Sequence, residues 1–245
     1  MSSTNDEVQP HRLLDEPSYF IEHYLGEEPF DYQREFMDDS SQRKAAVCGR
    51  RVGKSTMASW LALWYSITHA NAEILITAKA QRQSMELFNE VKKQIRQSEI
   101  DEERWGITRD TRTEINFDNG SRIICLPVGT DGSNIRGYGT DLLVVDEAAF
   151  VADEIFQQVL SPMLAVGDSN FILLSTPFGK KGFLYERFRD ETWHTLQIPT
   201  WENPMIDDEF IEEQRRNLTP TQFRQEIRGE FVESADSFFT RAELM

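Results

Sequence analysis

Residues 45–56 read AAVCGRRVGKST. Four small or apolar residues of the kind found in a buried strand run into a glycine-containing turn, and a segment with helical apolar spacing follows. In such a turn the backbone amides and the N-terminus of the next helix can face phosphate groups. Lys54 is placed to reach the β and γ phosphates, and the Ser55 hydroxyl to bind Mg²⁺. The stretch therefore predicts a phosphate-binding loop.

This loop departs from the usual GxxxxGK[ST] spacing by one residue, because Cys48 stands where the first glycine would fall. Taken alone, the stretch is also compatible with an ordinary strand-to-helix turn. The residues predicted to contact phosphate are Gly49, Arg50, Arg51, Val52, Gly53, Lys54, Ser55 and Thr56.

The surrounding sequence alternates short apolar runs with longer amphipathic stretches, which is typical of a parallel sheet covered by helices on both faces. Helices are predicted at 54–69 and 81–97. Asn119-Gly120 predicts one hairpin, so the sheet should be mixed. The predicted strands are 45–48, 74–77, 123–126, 142–145 and 171–174. We therefore expect an α/β fold, a P-loop NTPase with a mainly parallel central sheet flanked by helices.

A second motif follows the apolar run 142–145, where Asp146 and Glu147 stand side by side. A parallel strand that ends in this way delivers Asp146 to the edge of the sheet where ligands bind, and a carboxylate there can hold Mg²⁺. Glu147 is then placed to orient and deprotonate an attacking water. A strand followed by a solvated acidic turn is the simpler alternative.

A third motif, Ser175-Thr176-Pro177, follows the apolar run 171–174. Hydroxyls at the end of a neighbouring strand can sense a γ phosphate and transmit its loss to the next segment. The alternative is an ordinary Thr-Pro turn.

Upstream of the loop, Tyr32-Gln33 offers an aromatic ring that can stack on a purine and an amide that can pair with the adenine edge. A helix-start aromatic residue is the alternative.

Composition limits the possible partners and compartment. The chain of 245 residues has 42 acidic against 26 basic residues and a formal charge of -16, which excludes a uniformly basic nucleic-acid-coating protein. Any DNA contact must then come from local basic positions, for which the candidates are Lys79, Arg82, Lys92, Lys93, Lys180 and Lys181. Two cysteines and the lack of a signal peptide or membrane span favour a soluble intracellular protein.

Pattern changes along the chain suggest three parts. Residues 1–27 are acidic and loosely patterned, and we expect an arm outside the core. Residues 28–198 should form the ATPase core. From 199 to 245 the sequence becomes helical and polar, with a capping-box start at Thr219, and predicts a small helical lid or linker subdomain.

Together these motifs resemble the ATPase domain of the large terminase subunit, the genome-packaging motor of tailed viruses. The resemblance covers about residues 28–235. It rests on the loop GRRVGKS, the segments LLVVDEAAF and STPFGKKG, and the stretch 134–138.

The resemblance implies specific roles. Lys54 and Ser55 would belong to Walker A. Asp146 and Glu147 would belong to Walker B, of the additional-strand type with a catalytic glutamate. Ser175 and Thr176 would form the coupling motif, and Tyr32 and Gln33 the adenine motif. Arg50 and Arg136 are both candidates for the arginine that stabilises charge on the γ phosphate, acting within one subunit or on its neighbour.

It also implies a function and partners. The chain would be a Mg²⁺-dependent ATP hydrolase that drives double-stranded DNA into a procapsid, with the portal protein, the small terminase subunit and a homo-oligomeric ring as partners, in the cytoplasm of the infected host cell. Family members usually carry a nuclease domain, which we expect to be absent here, because only about fifteen residues follow Gly229.

Two alternatives remain. A helicase-like or DNA-repair ATPase would share both Walker segments but should show further nucleic-acid motifs. A nucleotide-switched scaffold would bind ATP without needing the water-activating Glu147.

Overall fold

The computed structural model describes residues 9–98, 100, 102–165 and 168–233. Its centre is an eight-stranded sheet with the order β3-β4-β5-β2-β6-β7-β1-β8. The strands are β1 (Arg43–Cys48), β2 (Glu73–Ala78), β3 (Ile107–Asp110), β4 (Glu114–Phe117), β5 (Arg122–Cys125), β6 (Leu142–Asp146), β7 (Asn170–Ser175) and β8 (His194–Ile198).

The sheet is mixed, as predicted. β3, β4 and β5 pair antiparallel, whereas all other neighbours pair parallel. All five predicted strands and the Asn119-Gly120 hairpin are confirmed. The sequence analysis missed β3 and β8. Both are edge strands whose side chains are mostly not buried, so they carry no continuous apolar run.

Helices cover both faces of the sheet. One apolar core lies under α1 to α5, and a second lies under α6 and α7. The described helices are α1 (Pro10–Asp15), α2 (Pro17–Phe20, continued by a π-helical turn Ile21–Leu25), α3 (Asp31–Asp38), α4 (Lys54–Thr68), α5 (Gln81–Gln97), α6 (153–163, with a central π-helical turn), α7 (Phe183–Phe188), α8 (Asp208–Asn217) and α9 (Pro220–Glu226).

The prediction for the N-terminal arm is partly wrong. Phe20, Ile21 and Leu25 are buried in the core shared with α3 to α5. Ser18 also donates two hydrogen bonds to Asp38 of α3, from its amide and its hydroxyl. Two short turns of helix thus bury apolar side chains that the acidic composition of this region concealed. Residues 1–8 lie outside the described residues.

The two helices predicted after Pro199 are confirmed as α8 and α9, whereas the lid role of this segment stays a prediction. α8 and α9 enclose a small core of Ile211, Phe223 and Ile227. The Thr219 hydroxyl caps α9 by accepting from the Gln222 backbone amide, and the Gln222 side-chain oxygen accepts from the Thr219 backbone amide. Residues 234–245 of the predicted lid lie outside the described residues. None of the described helices is long and apolar enough to cross a membrane.

Candidate nucleotide site

The predicted phosphate loop follows β1, which lies between β7 and the edge strand β8. Arg51 and Gly53 have left-handed backbone conformations, with φ of 61° and 75°, and α4 begins at Lys54. Left-handed residues that alternate with right-handed ones turn successive amides toward one side of the chain. The loop therefore has the backbone shape of an anion-binding nest.

The amides of this loop confirm that shape. Among the described residues, no acceptor receives the backbone N–H of any residue from 51 to 56. The two preceding amides are engaged, since Gly49 donates to the Ile198 carbonyl at 2.8 Å and Arg50 to the Glu226 carbonyl at 2.7 Å. A run of free donors at a helix N-terminus suits a phosphate chain.

Lys54 lies beside the carboxylates of the second motif. Its Nζ is 2.9 Å from Glu147 Oε1 in a mostly buried ion pair. Burial alone would lower the pKa of Lys54, but the negative charges of Glu147 and Asp146 outweigh it and raise the pKa above its ordinary value. Lys54 therefore stays charged, and it is held by a carboxylate that a phosphate can replace.

Asp146 ends β6 and is 6% exposed. Burial raises the pKa of its carboxyl to about 6, although the nearby charge of Lys54 lowers it. The side chain accepts one hydrogen bond, from the Glu147 amide at 3.0 Å. A buried carboxylate with spare lone pairs fits a divalent cation bound through oxygen, and the Ser55 hydroxyl at the start of α4 is a suitable second ligand.

Glu147 is held in place by the third motif. Its Oε2 accepts from the Ser175 hydroxyl at 3.2 Å and from the Thr176 amide and hydroxyl at 3.3 Å. Its backbone is left-handed, with φ of 50°, a strained conformation for a residue other than glycine. The structure thus brings the second and third motifs into direct contact through one carboxylate.

Sequence reasoning missed the attachment of the loop to the lid. The Thr200 hydroxyl, in the short helix Thr200–Glu202, donates to the Arg50 carbonyl at 2.9 Å. The side-chain amide of Asn203, the residue after this helix, donates to the Arg51 carbonyl at 2.7 Å. Both bonds join residues about 150 positions apart, so no local pattern could reveal them. The loop backbone is therefore held by the chain that leads into the lid.

Gly49 is part of the same contact. A Cβ at this position would lie 2.4 Å from the Ile227 carbonyl and 2.5 Å from the Thr200 hydroxyl. Gly229 approaches from the other side, since a Cβ there would lie 2.9 Å from the Gly49 amide nitrogen. Only glycine permits the lid backbone to pack this closely against the loop.

Tyr32 and Gln33 lie against the loop but are buried. The Tyr32 hydroxyl donates to the Val52 carbonyl at 2.9 Å, and the ring is 8% exposed. The Gln33 amide oxygen accepts from the Phe30 amide at 2.9 Å, and its amide nitrogen faces Gly53. The structure places both residues next to the loop, but it leaves no open face on the Tyr32 ring.

Arg50 points toward the lid. Its exposed guanidinium pairs with Glu226 of α9 at 2.5 Å, whereas Lys54 faces the carboxylates. The structure therefore gives Arg50 a lid contact in addition to its place in the loop.

Arg136 lies on an exposed connection between β5 and β6. This connection starts beside β2, where the Val128 amide donates to the Ala78 carbonyl. β2 is three strands from β1, and neighbouring strands are about 4.8 Å apart, so the connection starts roughly 14 Å from the phosphate loop. Within the described residues no hydrogen bond or ion pair joins Arg136 to the loop.

Most of the basic side chains considered for DNA are paired with acids. Among the described residues, Lys79 and Lys181 form no ion pair. They line a surface depression of about 480 Å³ together with Phe150 and Phe178, whose exposed rings are 5.1 Å apart. The paired residues are Arg82 with Glu86, Lys92 with Asp110, Lys93 with Glu90 and Lys180 with Glu233.

Comparisons with known proteins show the family and the fold of the chain. The family profile for the terminase large subunit, T4likevirus-type, N-terminal, matches residues 46–245. The terminase large subunit of Escherichia phage T5 is 29% identical over 203 residues, covering 80% of this chain and 45% of that protein. The chain spans about half the length of the curated relatives it matches.

Two solved structures show the same fold. The large terminase ATPase domain of Thermus phage P74-26 aligns with a TM-score of 0.77 at 22% identity, covering 89% of this chain and 99% of that one. The large terminase of the thermophilic bacteriophage D6E in complex with ATP-gamma-S aligns with a TM-score of 0.65 at 16% identity, covering 83% of this chain and 53% of that one.

Proposed function

The chain belongs to the family of T4-like terminase large subunits, and we propose that it is the ATPase motor domain that drives double-stranded DNA into a procapsid. The observation that carries this proposal is the run of free amides at residues 51–56, next to Lys54 and the carboxylates of Asp146 and Glu147. An anion nest beside a charged lysine and two acids suits a triphosphate with its metal ion.

ATP is the nucleotide we propose, and a related large terminase has been solved with ATP-gamma-S. Ser55 and Asp146 would hold Mg²⁺, which supplies charge neutralisation at the phosphate oxygens when bound. Lys54 would exchange its bond to Glu147 for one to the β and γ phosphates. Glu147 is then free to accept a proton from water.

The Ser175 and Thr176 bonds to Glu147 position this carboxylate for that step. A general base has to be oriented within hydrogen-bond reach of the water it activates. Since both hydroxyls belong to the segment that continues into residues 177–182, a change in the Glu147 bonds moves that segment as well. We assign the coupling role to this shared contact.

The nucleotide site is also connected to the lid by direct contacts. Thr200 and Asn203 hold the loop backbone, and Arg50 holds Glu226 of α9. A nucleotide that draws the Arg50 guanidinium toward phosphate would break the Arg50–Glu226 pair and release one lid contact.

Arg136 is the candidate for a charge-stabilising arginine supplied to a neighbouring subunit. Within the described residues no hydrogen bond or ion pair joins Arg136 to its own phosphate loop, and this supports action between subunits of a ring. Mixing inactive Lys54→Ala with inactive Arg136→Ala protein tests this, because each mixed pair contains one complete site. Recovery of ATPase activity is expected, and no recovery at any mixing ratio would contradict the assignment.

DNA contact is assigned to the depression with Lys79 and Lys181. A chain with a charge of -16 repels DNA unless unpaired cations offset that charge locally. Lys79→Gln with Lys181→Gln should lower DNA-stimulated ATPase activity and its salt dependence. Lys93→Gln, whose partner is Glu90, is the matched control. Equal effects of both variants would contradict the contact.

The remaining assignments follow from family membership. We propose that the portal protein, the small terminase subunit and further copies of the chain are the partners, and that the motor works in the host cytoplasm on the procapsid. Membership also favours packaging over a helicase-like, repair or scaffold ATPase.

The test of the proposed chemistry uses two variants. Glu147→Gln should retain ATP binding and lose turnover by about 10²- to 10⁴-fold, because it removes the base while keeping the shape of the side chain. Lys54→Ala should weaken both binding and turnover. Undiminished turnover in Glu147→Gln would overturn the assignment.

A further inference from the structure

The adenine base needs an aromatic or apolar face, and the predicted residues do not offer one. The Tyr32 ring is 8% exposed and its hydroxyl is bonded to the Val52 carbonyl. Gln33 is buried as well, with its amide oxygen bonded to the Phe30 amide. Both residues pack against the loop. Another residue therefore has to provide the surface on which the base stacks.

Trp201 occupies a suitable position next to the loop. It lies in the helix Thr200–Glu202, directly after β8 and beside the strand that leads into the loop. Thr200 and Asn203, on either side of it, donate to loop carbonyls at 2.9 and 2.7 Å. The backbone at Trp201 is therefore fixed relative to the phosphate-binding loop by the bonds of Thr200 and Asn203.

The Trp201 side chain is open to solvent and free of aromatic partners. It is 42% exposed, and within the described part of the chain it makes no ring contact or hydrogen bond. Its neighbour Glu202 lies near Tyr32, since the pKa of the Tyr32 hydroxyl is raised first by burial and then by the charges of Cys48 and Glu202. Trp201 therefore directly precedes a residue whose charge reaches Tyr32.

We propose that Trp201 provides the face on which the purine base stacks when a nucleotide occupies the loop. This rests on the proposed ATP-binding function and assigns the base subsite within it. An indole offers a large flat surface, and stacking tolerates any base because every base has a π face. Adenine selectivity would then come from edge contacts, while Trp201 adds affinity.

The test compares ligands with and without a base. Trp201→Ala should weaken ATP-gamma-S binding about 5- to 150-fold, the range expected for one stacked base, and should leave tripolyphosphate binding unchanged. Trp201→Phe, which keeps an aromatic face, should lose less. Met205→Ala, which truncates an 83% exposed side chain of the same segment, is the matched control and should change neither affinity.

Tryptophan fluorescence gives an independent measurement. ATP-gamma-S should quench the emission of the wild-type chain, and Trp201→Phe should remove most of that change. Unchanged ATP-gamma-S affinity in Trp201→Ala would overturn the proposal. Equal weakening of tripolyphosphate and ATP-gamma-S would overturn it too, because Trp201 would then act on the loop rather than on the base. A wild-type chain that binds neither ligand would contradict the ATP-binding function itself.

Discussion

Lys44 is a charged side chain in the interior of the sheet, and it should make stability depend on pH. It lies on β1, is 6% exposed, and donates to the carbonyls of Phe36 and Met37 at 3.1 and 2.9 Å. Burial lowers the pKa of Lys44 from 10.5 to about 8, although the charges of Asp39 and Asp38 oppose the shift. The bonds to α3 thus hold the Lys44 ammonium in a buried position, where it is less well solvated than in water.

The size and sign of the effect follow from the two pKa values. The unfolded chain keeps the proton up to about pH 10.5, whereas the folded protein releases it above about pH 8. Between these values the unfolded state binds more protons, so the free energy of unfolding rises with pH. For this one lysine the rise between pH 7 and pH 9.5 is about 2 kcal/mol.

Lys44→Met removes this titration, so the variant should lack the rise. Urea unfolding at the two pH values measures it, with Lys93→Met as the control because Lys93 is half-exposed and paired with Glu90. Because the buried thiols Cys48 and Cys125 lower the stability of all three chains alike over this range, the expected result is a difference: between the two pH values Lys44→Met should gain about 2 kcal/mol less than the wild-type chain and Lys93→Met. If Lys44→Met gained as much stability as the wild-type chain, the buried ammonium would not be the cause.

Three further outcomes are expected. Gly49→Ala should destabilise the chain by about 1–3 kcal/mol in urea unfolding, since its Cβ would lie 2.4 Å from lid backbone. Gly139→Ala is the control and should not destabilise the chain, because its Cβ would have no atom within 4 Å. Equal stabilities of the two variants would refute the close contact. Cys48 and Cys125 are buried and burial raises the pKa of each thiol to about 12, so neither should react with a thiol reagent until the chain unfolds, and rapid labelling of the native chain would contradict this. Asp207→Ala should cost about 1 kcal/mol, because its carboxylate caps α8 through the Phe210 amide, and an unchanged melting temperature would argue against the cap.

The parts of the site that the sequence could predict are local in the chain. Strand, glycine turn and helix follow one another within residues 45–56, and Asp146 and Glu147 directly follow a buried strand. Parallel strands bring their carboxyl ends to one edge of the sheet, so these pieces had to lie together. The Lys54–Glu147 pair is the contact that this reasoning anticipates.

What the sequence could not predict depends on distant contacts. The lid bonds of Thr200 and Asn203 to the loop, and the pairing of Arg50 with Glu226, join segments far apart in the chain. No periodicity encodes such pairs. The bond of the Tyr32 hydroxyl to the Val52 carbonyl also joins two different elements.

A crystal structure of the chain soaked with Mg²⁺ and a non-hydrolysable ATP analogue tests the central claim most directly. We expect the phosphates to accept hydrogen bonds from the amides of residues 51–56, with Lys54 turned from Glu147 to the phosphates and the metal ion bound to Ser55 and next to Asp146. Phosphates bound elsewhere, or a loop that stays without ligand at saturating analogue, would contradict the account.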